Sequence, residues 1–484
     1  MRKSIKYYPA SQSQKIHFIR DFYDLRTINS TLTLYIEVFN YSALKKTFEI
    51  LIRRHAIFRT TLVRVNNEVK QRVWMYKRAH FIIDIIDIRT ITVKEETINK
   101  VYQSSVTKRF KSDQFPWLDI KLVQVKENYS ILITALPHMI VDAQSIEIIR
   151  HEICKIYTSL LTGEKLHLST PFQYKDYITE ADALLKTEKG ERHRKYWIKL
   201  LKEPPLTNIS TYVSEKNRTK SQPYKDSIRE EMTKSFHSIS EIAESDFIGN
   251  VSFINYSEGK AFQFYLDQRR FAIVKKLSKE TQVGIPVVII ATFHILLFKL
   301  TGEKDVITGV NTTLRDNDNV NSIIGFLVNT ILFRYKVEDS WSLIHYIRCL
   351  NIRFLESLTH RVYPHELALY DSDISLQQIG IFFLNIVKHE NITIGDIEPE
   401  LVHLDYNTSP YFDIDCDIAI YENTAGIKLR YKTEIFNRSA IESIFLNYLK
   451  LVDYFELDLY VKIGDIFLEQ PNNKQNILGI LRSV

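Results

Sequence analysis

Apolar positions in this chain follow two rhythms, and their alternation predicts interleaved strands and helices. Leu32–Phe39 and Tyr129–Leu136 (YSILITAL) are short apolar runs rich in β-branched residues, the pattern of buried strands. Leu62–Val65, Val69–Trp74 and Phe81–Ile86 read the same way. Between them the spacing changes to that of helices, at about Ser42–His55 and Val93–Thr107. After the YSILITAL strand, Ile146, Ile149, Ile153, Ile156 and Leu160 recur at helical spacing, ending near Thr162-Gly163-Glu164. Tyr174–Leu201 is polar and helical and stops at Pro204-Pro205.

From about 207 to 259 the chain is rich in Ser, Lys and Glu with weak periodicity, which marks an insertion. A second mixed block follows. Helices are predicted at Phe271–Thr281, across the apolar run Ile285–Phe298, up to about Leu358, and at Ser439–Leu457. Strands are predicted at Asp305–Val310, Asn329–Tyr335, Ile379–Leu384, Phe412–Tyr421 and Ile427–Thr433, the last two alternating as half-buried strands do. The expectation is therefore a mixed α/β protein with lobes at 1–180 and 181–484; one large mixed domain is the alternative.

With 484 residues the chain can bury two real cores. Hydrophobic content of 45% and charged content of 25% exclude a disordered protein. A formal charge of +6 is small for this length, and no basic run interleaved with aromatics points to nucleic acid. Cys154, Cys349 and Cys416 are far apart and at no zinc-ligand spacing, so a reducing compartment without a structural metal is expected. The N-terminus lacks an apolar signal core, and Ile285–Phe298 is shorter than a membrane span and contains Pro286 and His294. A soluble, cytoplasmic protein follows as the expectation.

Candidate chemistry begins with a spacing that occurs three times: His17–Asp21, His80–Asp84 and His138–Asp142, each HxxxD. Only the third lies where a strand hands over to a helix, a junction that often presents side chains into a cleft. Histidine suits proton transfer near neutral pH because its ordinary pKa lies there. The competing reading of His138 is a residue that closes a strand end.

The surrounding elements decide between them. Tyr8-Pro9-Ala10-Ser11-Gln12-Ser13-Gln14-Lys15, Arg54-His55-Ala56-Ile57-Phe58-Arg59-Thr60-Thr61-Leu62, His138–Ala143, Tyr174-Lys175-Asp176-Tyr177, Leu300–Gly309 and Ile324-Gly325-Phe326-Leu327-Val328-Asn329-Thr330 with the trailing Arg334 stand in one order along the chain. In that order they resemble the condensation domains of non-ribosomal peptide synthetases, within the acyltransferase superfamily related to chloramphenicol acetyltransferase. Three departures are visible. Pro137 stands for the first His of the family's His-His-x-x-x-Asp-Gly, Ala143 stands for its Gly, and the late Arg-Asp-x-Ser-Arg-Asn-Pro element is not recognisable near Asp371–Gln378. A side chain at Ala143 adds bulk and disfavours positive φ.

The resemblance implies two chloramphenicol acetyltransferase-like lobes forming a V-shaped pseudo-dimer with a tunnel between them. It implies a free-standing enzyme that joins a carrier-bound acyl or aminoacyl thioester to an amine or hydroxyl acceptor. His138 is then the catalytic residue, and Asp142 is structural through a salt bridge to Arg59. Ala143, Gly325 and Asn329 belong to the substrate tunnel, and Tyr174 and Asp176 are structural. No permanent cofactor or metal is implied, since the phosphopantetheine arm belongs to acyl or peptidyl carrier proteins acting in trans on a monomer. Two alternatives stand: a coenzyme A-dependent O- or N-acyltransferase of the same superfamily, and a non-catalytic recruitment domain.

Overall fold

A computed structural model describes residues 6–22, 29–37, 39–76, 81–205, 259–374, 382–388, 410 and 413–468. The expected insertion at about 207–259 lies outside the described residues, apart from Gly259. The chain divides into two compact units. The first comprises Met1–Gly190 and Thr313–Val328, and the second Glu191–Thr312, Asn329–Asn391 and Asn407–Val484.

The first unit runs β1 (Tyr7–Pro9), α1 (Gln12–Phe22), β2 (Asn29–Ile36), α2 (Tyr41–Arg54), β3 (Thr60–Val65) and β4 (Glu68–Val73). It continues with β5 (Ile83–Asp87), α3 (Lys94–Val106), β6 (Asp119–Lys126), β7 (Tyr129–Pro137), α4 (Ala143–Thr162) and α5 (Tyr174–Leu185). β2, β7, β6 and β5 form a four-stranded sheet in that order, and β1, β4 and β3 form a small antiparallel one. β7 reads as a continuous apolar run because both of its faces are buried. Leu132 and Leu136 enter the core that Leu44, Phe48 and Ile52 of α2 share with Ile149 and Ile153 of α4. Ile131 and Ile133 face the other way, onto Tyr102 of α3.

β6 escaped the sequence reading because its polar side chains are spent inside the unit. Asp119 is 3% exposed, holds Lys121 at 2.6 Å and is also paired with Lys108. The predicted helix Tyr174–Leu201 is two helices, α5 and α6 (Glu188–Leu201). The chain turns so tightly between them that a Cβ at Gly190 would sit 2.4 Å from the Leu185 carbonyl oxygen.

The second unit contains β8 (Gly259–Leu266), α7 (Gln268–Thr281), α8 (Ile285–Thr301), β9 (Asp305–Thr313), β10 (Val328–Lys336) and α9 (Leu343–Thr359). α10 (His365–Asp371), β11 (Phe382–Lys388), β12 (Ile414–Ile420), β13 (Ala425–Lys432) and α11 (Arg438–Leu457) complete it. Its sheet has the order β10-β9-β11-β12-β13-β8, parallel across β9, β11 and β12 and antiparallel from β12 through β13 to β8. α8 is apolar on all sides because α7, α9 and α11 pack around it. Among the described residues no single helix is long and apolar enough to cross a membrane; α7 and α8 together are bent by 106°.

Candidate active site

β7 ends at Pro137, and the next three residues, His138–Ile140, form a single helical turn closed by Val141 N donating to the His138 carbonyl at 3.3 Å. This turn reverses the chain into α4, with Asp142 as the N-cap. Two residues of the HxxxD segment are thus placed by opposite demands. His138 remains half-buried at the strand end, while Asp142 is 3% exposed.

His138 Nδ1 lies 3.0 Å from the Val141 carbonyl oxygen. A carbonyl only accepts, so Nδ1 carries the proton in the neutral ring and the lone pair is on Nε2. Ser30 Oγ lies 3.3 Å from the same nitrogen. Phe326 meets the imidazole edge to face, with centroids 5.2 Å apart and planes at 84°.

Asp142 has a different employment. Its Oδ1 accepts from Ser145 N at 2.7 Å and Ser145 Oγ at 2.7 Å, and its Oδ2 accepts from Leu327 N at 3.0 Å. Arg315 closes the set, with Nη2 at 2.9 Å from Oδ1 and 3.1 Å from Oδ2. Both side chains of this pair are 3% exposed. Ser145 Oγ also accepts from Gly325 N and Arg315 Nη2, both at 3.0 Å. The loop behind the histidine is therefore tied to residues 313–328 of the same unit.

This corrects the expected partner. Arg59 does not reach Asp142: it lies on the turn Ala56–Arg59, and its guanidinium donates to the carbonyls of Ile52 at 2.9 Å and Trp74 at 2.5 Å. Arg315 takes the carboxylate because Nη1 is anchored by the Val320 and Ile323 carbonyls, both at 2.9 Å, with Nη2 left pointing at Asp142.

The other expected site residues have distinct places. Ala143 is the exposed first residue of α4 with no positive φ, so the helix accepts its methyl without strain. Gly325 is buried beneath Tyr174, and a Cβ there would lie 2.0 Å from the Tyr174 ring. Tyr174 is 2% exposed and donates to the Phe326 carbonyl at 3.2 Å, and burial pushes its hydroxyl pKa up. Asn329 belongs to the second unit, and its amide is engaged throughout. Nδ2 donates to the Arg361 and Tyr363 carbonyls at 2.7 Å each, while Oδ1 accepts from Thr330 N at 2.9 Å and His365 N at 3.2 Å. Gly325 and Asn329 thus shape their own turns: the first admits a ring, the second ties down the start of α10. Asp176 contacts Lys175.

Of the other two HxxxD matches, the side chains of His17 and Asp21 and all of His80 lie outside the described residues, and Asp84 lies on β5. Of Asp371–Gln378, where the late element is not recognisable, residues 375–378 also lie outside the described residues. Sequence reading missed Arg315, Ser145 and the pairing of buried Glu152 with Arg54 and His55 of the quoted element. Glu152 accepts from His55 Nε2 at 2.9 Å and from Arg54 at 3.1 and 3.2 Å. Burial works to raise this carboxyl, but those hydrogen bonds outweigh it and hold it at about 2. Ser145 had a visible signal, lying three residues after an N-cap Asp at the head of a helical run; Arg315 had none. Among the described residues no cluster of three or more His, Cys, Asp or Glu suits a metal, and Cys154, Cys349 and Cys416 are unbridged.

Comparison with known proteins places this chain in a family. The family model described as Condensation domain matches residues 4–246 and 255–478. Gramicidin S synthase 2 of Aneurinibacillus migulanus is 23% identical over 490 residues, covering 98% of this chain and 10% of the synthase. Surfactin synthase subunit 2 of Bacillus subtilis (strain 168) is 23% identical over 483 residues, covering 97% of this chain and 12% of the subunit. The chain thus spans about a tenth of the length of these curated relatives. Among solved structures, the condensation domain of monacolin K polyketide synthase superposes with a TM-score of 0.72 at 14% identity, over 95% of this chain and 99% of that one. The starter condensation domain of rhizomide synthetase gives 0.69 at 14% identity, over 96% and 100%.

Proposed function

The chain belongs to the condensation-domain family, and from that premise we propose that it is an acyltransferase of non-ribosomal peptide or related natural-product biosynthesis. It joins an acyl or aminoacyl group, carried as a thioester on the phosphopantetheine arm of an acyl or peptidyl carrier protein, to an amine or hydroxyl acceptor. The observation that carries this reading is the state of His138, whose Nδ1 proton is committed to the Val141 carbonyl so that Nε2 holds the lone pair.

The chemistry follows from that lone pair. Nε2 takes the proton of the acceptor as its nitrogen or oxygen attacks the thioester carbonyl, forming the new C–N or C–O bond and a tetrahedral oxyanion. Collapse of the intermediate breaks the C–S bond, and the departing thiolate recovers the proton from the imidazolium. Asp142 takes no part in these transfers. Its oxygens are filled by Arg315, Ser145 and Leu327, so it holds the loop that carries the base. With Pro137 and Ala143 in place the loop is still closed by Arg315, Ser145 and Leu327, which supports catalysis over a purely recruiting role.

A second donor is favoured by one observation. A matched solved structure is a starter condensation domain in complex with C8-CoA and Leu-SNAC. The test offers both donors to the full chain with an amine: an acyl-loaded carrier protein and the same acyl group on coenzyme A. Intact-protein mass spectrometry reads loss of acyl from the carrier, and chromatography reads product. Faster turnover from the carrier supports the proposal. Equal or faster turnover from acyl-coenzyme A replaces it with the coenzyme A-dependent reading, and no product from either establishes the recruiting domain.

A further inference from the structure

The neutral ring of His138 holds one proton on Nδ1, and two oxygen atoms approach that nitrogen. The Val141 carbonyl oxygen is at 3.0 Å and Ser30 Oγ at 3.3 Å. With the carbonyl able only to accept, the hydroxyl oxygen becomes the second acceptor of a three-centre bond. We propose that Ser30 is a positioning residue for His138, sharing the Nδ1 proton so that the ring keeps one tautomer and one orientation through proton transfer. Its catalytic consequence rests on the acyl-transfer reading above; its geometry does not.

Ser30 is held where it is by more than its own bond. β2 pairs antiparallel with β7, Ser30 lying opposite Leu136 and Asn29 opposite Pro137. Proline offers no N–H to that ladder, and the end of β2 is secured instead by the Asn29 side chain. Asn29 Nδ2 reaches the carbonyls of Ser105, Val106 and Lys108 at 3.1, 3.1 and 2.7 Å, at the C-terminal end of α3. Asn29 thereby fixes the backbone from which the Ser30 hydroxyl meets the imidazole. Phe326 flanks the ring edge to face, so rotation about the His138 side chain is opposed by both contacts.

The contribution is largest where catalysis needs it. When Nε2 takes a proton, the ring becomes an imidazolium and the Nδ1–H bond becomes charge-assisted, roughly twice as strong as the neutral one. An acceptor on that proton therefore favours the charged ring more than the neutral ring. Removing the Ser30 oxygen makes the imidazolium harder to form and leaves the ring freer to turn.

The test is the imidazole titration of His138 in the full chain, followed by 15N NMR, in the wild type, Ser30→Ala and Ser30→Thr. The wild type is expected to show the Nδ1–H tautomer at neutral pH. Ser30→Ala is expected to move the titration midpoint to lower pH by about half a unit, and Ser30→Thr to restore it, since threonine keeps the hydroxyl and suits a strand. In the transfer assay Ser30→Ala should lower kcat by about 3- to 10-fold with KM unchanged, the loss of one hydrogen bond to a charged group. A midpoint and tautomer in Ser30→Ala identical to the wild type overturn the proposal. If the wild type transfers no acyl group, the functional reading fails while the titration still decides the role of Ser30.

Discussion

Replacing Arg315 by alanine tests the architecture behind the histidine loop most sharply. The guanidinium makes two short contacts to the Asp142 carboxylate, one to Ser145 Oγ at 3.0 Å, and two to the Val320 and Ile323 carbonyls at 2.9 Å. Truncation leaves the buried Asp142 charge without a counter-charge and two carbonyls without their donor. Breaking a buried pair in this way costs about 3–5 kcal/mol. Ser145 N, Ser145 Oγ and Leu327 N still donate to Asp142, so the lower end, about 3 kcal/mol, is expected. In a unit of this size that lowers Tm by roughly 6–12 °C. Urea unfolding followed by tryptophan fluorescence can assign the loss, because Trp74 and Trp117 lie in the first unit and Trp197 and Trp341 in the second. Asp142→Asn in the same background removes the stranded charge and should recover part of the loss, giving a coupling energy of about 1–3 kcal/mol. An Arg315→Ala chain within about 0.5 kcal/mol of the wild type, or strict additivity with Asp142→Asn, would refute the account of this pair.

Other perturbations have separate signatures. Arg59→Ala loses donors to backbone carbonyls, chiefly those of Ile52 and Trp74, but strands no carboxylate, so it should cost about 1–2 kcal/mol and show no coupling to Asp142→Asn in a double-mutant cycle. Gly325→Ala drives a methyl into the Tyr174 ring and should lower soluble yield and stability, with Gly325→Ala in a Tyr174→Ala background recovering part of both. His294 is fully buried, and burial lowers its pKa to about 3 from an ordinary 6.5, so it stays neutral in the fold while the unfolded chain takes up a proton. Its stability contribution is complete above pH 6.5 and falls by up to about 1.4 kcal/mol per pH unit below that, which His294→Leu should flatten in urea titrations at pH 5 and 7. Glu152 loses its own contribution lower, as pH drops from about 4.5 toward 2, and Glu152→Gln should remove that part of the acid transition.

Legibility in the sequence followed the range of the interaction involved. β7 and α4 were readable because their burial is written in consecutive residues, and their junction at His138 was visible as a change of period. Asp142 was expected to serve structure rather than chemistry, and as the N-cap of α4 that part of its role is a local signal. Its partner was not. Arg315 lies 173 positions away, and nothing in the surrounding Thr313–Asn319 announces a buried guanidinium. Arg59 was assigned by likeness, and the carbonyls of Ile52 and Trp74 that claim it could not be seen in advance. Gly325 and Asn329 lay on a recognisable segment, but their roles depend on Tyr174 and the Arg361–His365 turn. β6 was missed because Asp119 and Lys121 break its apolar pattern while pairing with each other.

The central claim is that His138 moves the acceptor's proton as the acyl group passes from sulfur to nitrogen or oxygen. Single-turnover transfer from an acyl-loaded carrier protein to an amine, read by intact-protein mass spectrometry with the wild type and His138→Ala, tests it most directly. The account predicts product with the wild type and a loss of about 100-fold or more in His138→Ala, with the unfolding transition unchanged. Transfer by His138→Ala at the wild-type rate would contradict it.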